Sequence, residues 1–272
     1  MLTPSMIAET AVFLRSAGVG PVQAAVVLGT GLGQFAEKIE SPLYIPFADI
    51  PHFPEATAES HKGQLIYGHT GGKPVLAMQG RYHYYEGYSM QQITFPIRVM
   101  KILGASSLFL SNAAGGLNLS FHKGDLVLIE DHINLLPDNP LRGLADPALG
   151  PRFVDMSAPY SSDLMAQLIA CAASENISLK KGTYVAVPGP SLETRAEYRW
   201  LRSTGADMVG MSTVPEVIVA NQLELPCAAV SVITDECDPD NLQPVNIPEI
   251  MAIAAKADSI LSNILEKVIT GL

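Results

Sequence analysis

The side chains with chemistry to offer stand in a few short runs. Arg81-Tyr82-His83-Tyr84-Tyr85-Glu86-Gly87-Tyr88 gathers four of the chain's nine tyrosines around an arginine and a histidine. In an extended segment, side chains at i and i+2 point the same way. The Arg81 guanidinium and His83 imidazole could then hold a phosphate dianion together, Arg81 through a bidentate fork. The competing account is a solvated turn with packing tyrosines. Gly29-Thr30-Gly31-Leu32-Gly33 fails the dinucleotide fingerprint, because G-x-G-x-x-G needs glycine where Gln34 stands. A glycine turn entering a helix still suits an anion through its backbone N–H groups, with the Thr30 hydroxyl as a further donor; equally, it is a structural turn. His61, in a polar stretch, reads by itself as a surface histidine. Glu193 is either functional or a first-turn helix acid complementing the dipole. Asp235 ends an apolar strand, where a carboxylate is costly unless paired or used; a solvated acidic turn with Glu236 and Asp238 is the alternative. Met211 alone reads as core.

These runs sit at the ends of predicted elements. Apolar strands are expected over 24–28, 64–68, 74–78, 106–111, 126–130, 183–187, 207–209 and 226–233. Helical patterns are expected over 89–103, 161–174, 193–203, 212–223 and 248–269, with Ser212 or Thr213 as a cap and Glu216 in the first turn. Alternation of the two types implies an α/β fold with a largely buried mixed sheet. Several strands end in glycine or small residues followed by a polar group, at Gly29-Thr30, Asn112-Ala113-Ala114, Gly210-Met211-Ser212 and Thr234-Asp235. Ligands of α/β sheets bind outside such carboxyl ends. The stretch 134–160 carries five prolines and reads as a long loop, of the kind that is functional or covers an interface.

Composition narrows the partners. The 272 residues are 48% hydrophobic and 16% charged, against about 25% charged in a typical soluble domain, which hints at surface covered by neighbouring subunits. A net charge of −10 argues against nucleic acid, which needs a basic face. Cys171, Cys227 and Cys237 are scattered, without C-x-x-C spacing, so neither a disulfide framework nor a metal site is indicated. No leader is expected, nor a membrane-spanning run of about 18 apolar residues. One cytoplasmic domain over 1–272 is the simplest expectation.

Together the runs resemble a known family. GTGLG at 29–33, His61, RYHYYEGY at 81–88, SNAAGGL at 111–117, HINLLPDNPLRG at 132–143, RFVDMSAPY at 152–160, PGPSLETRAE at 188–197, ADMVGMSTVPEV at 206–217 and SVIT at 231–234 are similar to the purine nucleoside phosphorylases of the trimeric class, within the nucleoside phosphorylase/hydrolase superfamily. The resemblance implies a distorted mixed sheet flanked by helices, a homotrimer, and a role in purine salvage. The implied reaction is reversible phosphorolysis of purine nucleosides to free base and (deoxy)ribose 1-phosphate, with inorganic phosphate as co-substrate and no cofactor or metal.

By the same resemblance, phosphate would meet Thr30, His61, Arg81, His83, the Ala113 backbone N–H and Ser212. The sugar would meet Tyr85 and Met211, with Phe153 supplied by a neighbouring subunit. The purine would meet Ala114, Leu192, Glu193, Val209, Thr234 and Asp235. His83, Glu193 and Asp235 would be the catalytic groups. Asp235 stands where 6-oxopurine-selective enzymes typically have asparagine, and Leu192 replaces a typical aromatic. The family histidine near the sugar 5′-hydroxyl has no counterpart; Asn246 or Ile247 stands in that region. A methylthioadenosine phosphorylase on the same scaffold is the nearest alternative reading. A hydrolytic nucleosidase and a non-catalytic binding protein are the others.

Overall fold

In the computed structural model, which describes residues 2–30, 33–55, 57 and 62–272, the apolar run Ala24–Leu28 is strand β1, buried along its whole length. Its alternate side chains feed two cores, as a strand's period of two requires. Ala25 and Val27 face a cluster shared with α1 (Pro4–Ser16), α2 (Met90–Ile102) and α5 (Val214–Gln222). Ala24, Val26 and Leu28 face α3 (Ser162–Ser174) and α6 (Ile247–Thr270). A smaller cluster lies under α4 (Arg195–Ser203).

The remaining strands are β2 (Glu40–Pro46), β3 (Gln64–Thr70), β4 (Lys73–Gln79), β5 (Ser107–Gly116), β6 (Leu126–Asn134), β7 (Lys180–Ala186), β8 (Met208–Gly210) and β9 (Cys227–Glu236). Among the described residues they form one mixed sheet in the order β2-β3-β4-β1-β5-β8-β7-β6-β9, and β9 also pairs with β5. The last five strands therefore close on themselves.

That closure forks the sheet at β5. One edge of β5 is taken by β9 from Leu108 to Gly116. On the other edge, Ser107–Leu110 pair with β1, whereas Gly115 and Gly116 pair with β8. Among the described residues, 111–114 thus have no strand on that side, and the sheet parts there. On the β9 edge the register slips: Ala114 faces Ile233 while Gly115 faces Asp235. Thr234 is the extra residue, and a bulge of this kind re-aims the side chains around it.

Three expectations are corrected. Gln34–Lys38, where the sequence predicts a helix after the glycine run, is one short 3-10 segment, and the Gln34 N–H donates to Asp258 Oδ2 of α6 at 2.6 Å. α4 starts at Arg195 with Thr194 and Glu197 forming its capping box, so Glu193 precedes the helix and is not a first-turn acid. α5 starts after Thr213, whose side chain makes no cap bond and whose φ is +70°, an uncommon conformation for a β-branched residue. Two elements lie outside the expected list: α1 buries Ile7, Thr10, Ala11 and Leu14, a helical stripe half hidden by alanine and threonine, and β2 is mostly exposed.

Candidate active site

A cleft opens where the sheet parts. Asn112, Ala113, Ala114 and Gly115 of β5 form its floor, and Thr30, at the end of β1, reaches one end. β1 runs so close to β5 here that a Cβ on Gly29 would lie 2.5 Å from the Ser111 carbonyl oxygen; only glycine fits. Arg81 and His83 flank this end, brought there by an extended backbone at His83.

Arg81 is fixed from several sides. Its Nη1 donates to the Ser111 carbonyl at 2.7 Å and to Ser212 Oγ at 3.3 Å. Its Nε donates to Glu216 Oε1 at 3.0 Å, and both side chains are almost fully buried. Thr213 Oγ1 accepts from Asn112 Nδ2 at 2.9 Å. The residues expected to cap α5 are thereby diverted to the cleft: the strained Thr213 braces Asn112, and Glu216 faces Arg81.

His83 is held by Glu86. Burial alone would raise the Glu86 carboxyl, but hydrogen bonds from His83 and Thr57 outweigh it and bring it down to about 2. An ionised carboxylate only accepts, so His83 Nδ1, 2.8 Å from Glu86 Oε1, carries its hydrogen toward Glu86. The ring also stacks on Tyr85, with centroids 4.6 Å apart. Burial, reinforced by Glu86, raises the Tyr85 hydroxyl to about 12.

The other end of the cleft carries carboxylates. Asp235 Oδ1 accepts from Thr234 Oγ1 at 3.0 Å, and Oδ2 accepts from Cys237 Sγ at 3.1 Å. Glu193 also lines the cleft, and burial, with the Asp235 charge adding to it, raises its carboxyl. Leu192, Val209, Gly210 and Met211 line the cleft as well. Among the described residues, no cluster of three His, Cys, Asp or Glu could hold a metal ion.

Thirteen of the residues singled out in the sequence therefore line one cleft: Thr30, Arg81, His83, Tyr85, Ala113, Ala114, Leu192, Glu193, Val209, Met211, Ser212, Thr234 and Asp235. His61 lies outside the described residues. Phe153 is 91% exposed and sits in a separate surface hollow with His132, Arg142 and Met156. Asn246 caps α6, accepting from the Glu249 N–H, and Ile250, one turn on, is the α6 residue that reaches the cleft.

The sequence assigns no site role to Glu216, Glu86, Tyr198 or Cys237, and it offers Asn112 only as part of a strand end. Glu216 carries a signal in the sequence that fits another role, because an acid three residues after Thr213 also suits a capping box.

A family model described as the phosphorylase superfamily matches residues 23–270. Purine nucleoside phosphorylase 1 of Bacillus subtilis (strain 168) is 49% identical, over 85% of this chain and 85% of its own length. Among solved structures, isoform 2 of purine nucleoside phosphorylase from Schistosoma mansoni in complex with cytosine and ribose-1-phosphate superposes with a TM-score of 0.95 at 37% identity, covering 99% of this chain and 97% of the other. Schistosoma mansoni purine nucleoside phosphorylase in complex with adenosine gives 0.93 at 36% identity, covering 99% and 98%. A cleft at a forked α/β sheet, a match along nearly the whole chain and relatives that cover it end to end agree: this chain belongs to the phosphorylase superfamily.

Proposed function

We propose that this chain catalyses reversible phosphorolysis of purine ribo- and deoxyribonucleosides, giving free base and (deoxy)ribose 1-phosphate, through one domain over 1–272. The observation that carries the reading is the polarity of the cleft. Arg81, His83, Thr30, Ser212 and the open backbone at Ala113 gather donors at one end, and Glu193 and Asp235 place carboxylates at the other. Phosphate and purine belong at opposite ends, with the sugar between them beside Tyr85 and Met211. The methylthioadenosine reading draws no support from the relatives named above.

Cleaving the N-glycosidic bond builds positive charge on the sugar and negative charge on the departing purine. Phosphate at the Arg81–His83 end presents an anion to the oxocarbenium-like sugar and then bonds to its anomeric carbon. Glu216 offsets part of the Arg81 charge, so the phosphate is oriented without losing its nucleophilicity. Orientation of this kind lowers a barrier by up to about 7–11 kcal/mol. Because phosphate is the nucleophile, no cofactor or carboxylate nucleophile is required. Glu193 accepts an N–H from the pyrimidine edge of the base. Asp235 accepts from a 6-amino group when ionised and donates to N-7 or a 6-oxo group when protonated. Activity on inosine and guanosine accompanied by activity on adenosine follows from that choice.

The reading extends to a homotrimer in which Phe153, so exposed in one chain, covers the sugar of its neighbour. It also extends to a cytoplasmic place in purine salvage, where a reducing environment suits three free cysteines. The test is release of base from inosine, guanosine and adenosine with and without added phosphate. Base and ribose 1-phosphate should form together only with phosphate present, and Arg81→Ala should abolish most of that turnover. Cleavage indifferent to phosphate would refute the reading.

A further inference from the structure

Two side chains that the reaction above leaves unused close off the carboxylate end of the cleft. Tyr198, on α4, and Cys237, just after β9, are both almost fully buried and belong to the same small core. Both also line the cleft. The Cys237 thiol donates to Asp235 Oδ2 at 3.1 Å. The Tyr198 hydroxyl sits against both the Cys237 sulfur and the Glu193 carboxylate. Gly115 makes the arrangement possible, because a Cβ there would lie 2.5 Å from Cys237 Sγ and 3.2 Å from Asp235 Oδ2.

We propose that Tyr198 and Cys237 are positioning residues that set base preference, holding Asp235 in its acceptor orientation so that the cleft favours a 6-aminopurine over a 6-oxopurine. The proposal rests on the base-end assignment of Glu193 and Asp235 made above.

The hydrogen count supports it. A thiol and a phenol each have one hydrogen. Tyr198 can direct its hydrogen to the sulfur or to Glu193; in either case the thiol's hydrogen goes to Asp235. With Thr234 Oγ1 on Oδ1 at 3.0 Å, both Asp235 oxygens take a donor from the protein. Their remaining lone pairs can only accept. An exocyclic amine at purine C6 satisfies them, while a 6-oxo group sets acceptor against acceptor, the kind of mismatch by which a polar site discriminates. The geometry also explains why the register slips at Thr234: the bulge turns Thr234 and Asp235 so that both reach this array.

The experiment is steady-state kcat/KM for adenosine and inosine at saturating phosphate, read as a ratio, so that any loss of folded protein cancels. Cys237→Ala should lower the adenosine-to-inosine ratio about tenfold, the worth of one hydrogen bond to a charged group. Cys237→Ser, which keeps a donor, should return most of it. Tyr198→Phe should lower the ratio by a smaller factor, because the sulfur loses its neighbouring donor. An unchanged ratio in Cys237→Ala, or failure of serine to restore it, overturns the proposal. Asp235→Asn separates the two levels: if it shifts the ratio while Cys237→Ala does not, only this inference fails; if neither shifts it, the base-end assignment fails too.

Discussion

The ion pair between Glu216 and Arg81 allows a test of the phosphate end by stability alone. Glu216→Gln keeps an oxygen to accept from Arg81 Nε but removes the negative charge that Arg81 faces at 3.0 Å. Both side chains are at most 3% exposed, so solvent offers little compensation. Removing one partner of such a pair costs about 3–5 kcal/mol; the retained hydrogen bond puts this variant near 3 kcal/mol. For a chain this long, 1 kcal/mol corresponds to roughly 2–4 °C, so a fall in Tm of about 6–12 °C is expected. Phosphate should then recover part of the loss, because a dianion beside Arg81 supplies the missing charge. If binding returns about 1.4 kcal/mol, Kd for phosphate tightens about tenfold. By linkage, the phosphate-induced rise in Tm then exceeds that of the unaltered protein by about 3–6 °C. Thermal melting over a phosphate titration measures both effects. A rise equal to or smaller than that of the unaltered protein would refute the claim that Arg81 and phosphate meet.

Three further outcomes are expected. The Glu193 carboxyl is raised by burial, so kcat/KM for inosine should begin to fall with decreasing pH above the usual carboxylate range, and Glu193→Gln should flatten that acid limb. Glu86 is lowered from 4.5 to about 2, so its contribution to stability, about 3 kcal/mol by linkage, is present near neutrality and lost as pH falls from about 4.5 through 2; in acid titrations followed by circular dichroism, Glu86→Gln should start less stable and lose less on acidification. Gly29→Ala would drive a methyl to 2.5 Å from the Ser111 carbonyl and should lower stability by about 1–3 kcal/mol, as overpacking does, in denaturant melts, and weaken phosphate binding because Ser111 also holds Arg81.

The cleft is largely legible because its residues cluster at strand ends, and strand ends show in sequence as an apolar run that stops at a small or polar residue. Thr30, the β5 tip and Asp235 stand out that way. The supports behind them do not. Glu216 mimics a helix acid, and only a fold that brings β4's exit against the start of α5 shows which arginine it faces. Tyr198 falls on the buried face of a helix whose other residues are mostly exposed, so it reads as an ordinary core residue. Cys237 lies four residues past the end of the expected strand, which runs on to Glu236 because β5 is extended through Asn112-Ala113-Ala114-Gly115-Gly116 and needs a partner. The helix expected after the glycine turn failed for a related reason: Asp258, 224 residues away in sequence, takes the first N–H.

Because five strands join end to side in a ring, the sheet is left with one outermost ribbon, β2, among the described residues. That ribbon is ill suited to accept a foreign strand. Pro42 and Pro46 withhold two amide hydrogens, Ser41 turns the chain with a φ of +50°, and the pairing with β3 is already irregular between Glu40 and Leu43. Such interruptions discourage edge-to-edge aggregation. Association through loops and helix faces, by contrast, leaves every backbone hydrogen bond of the sheet within its own subunit.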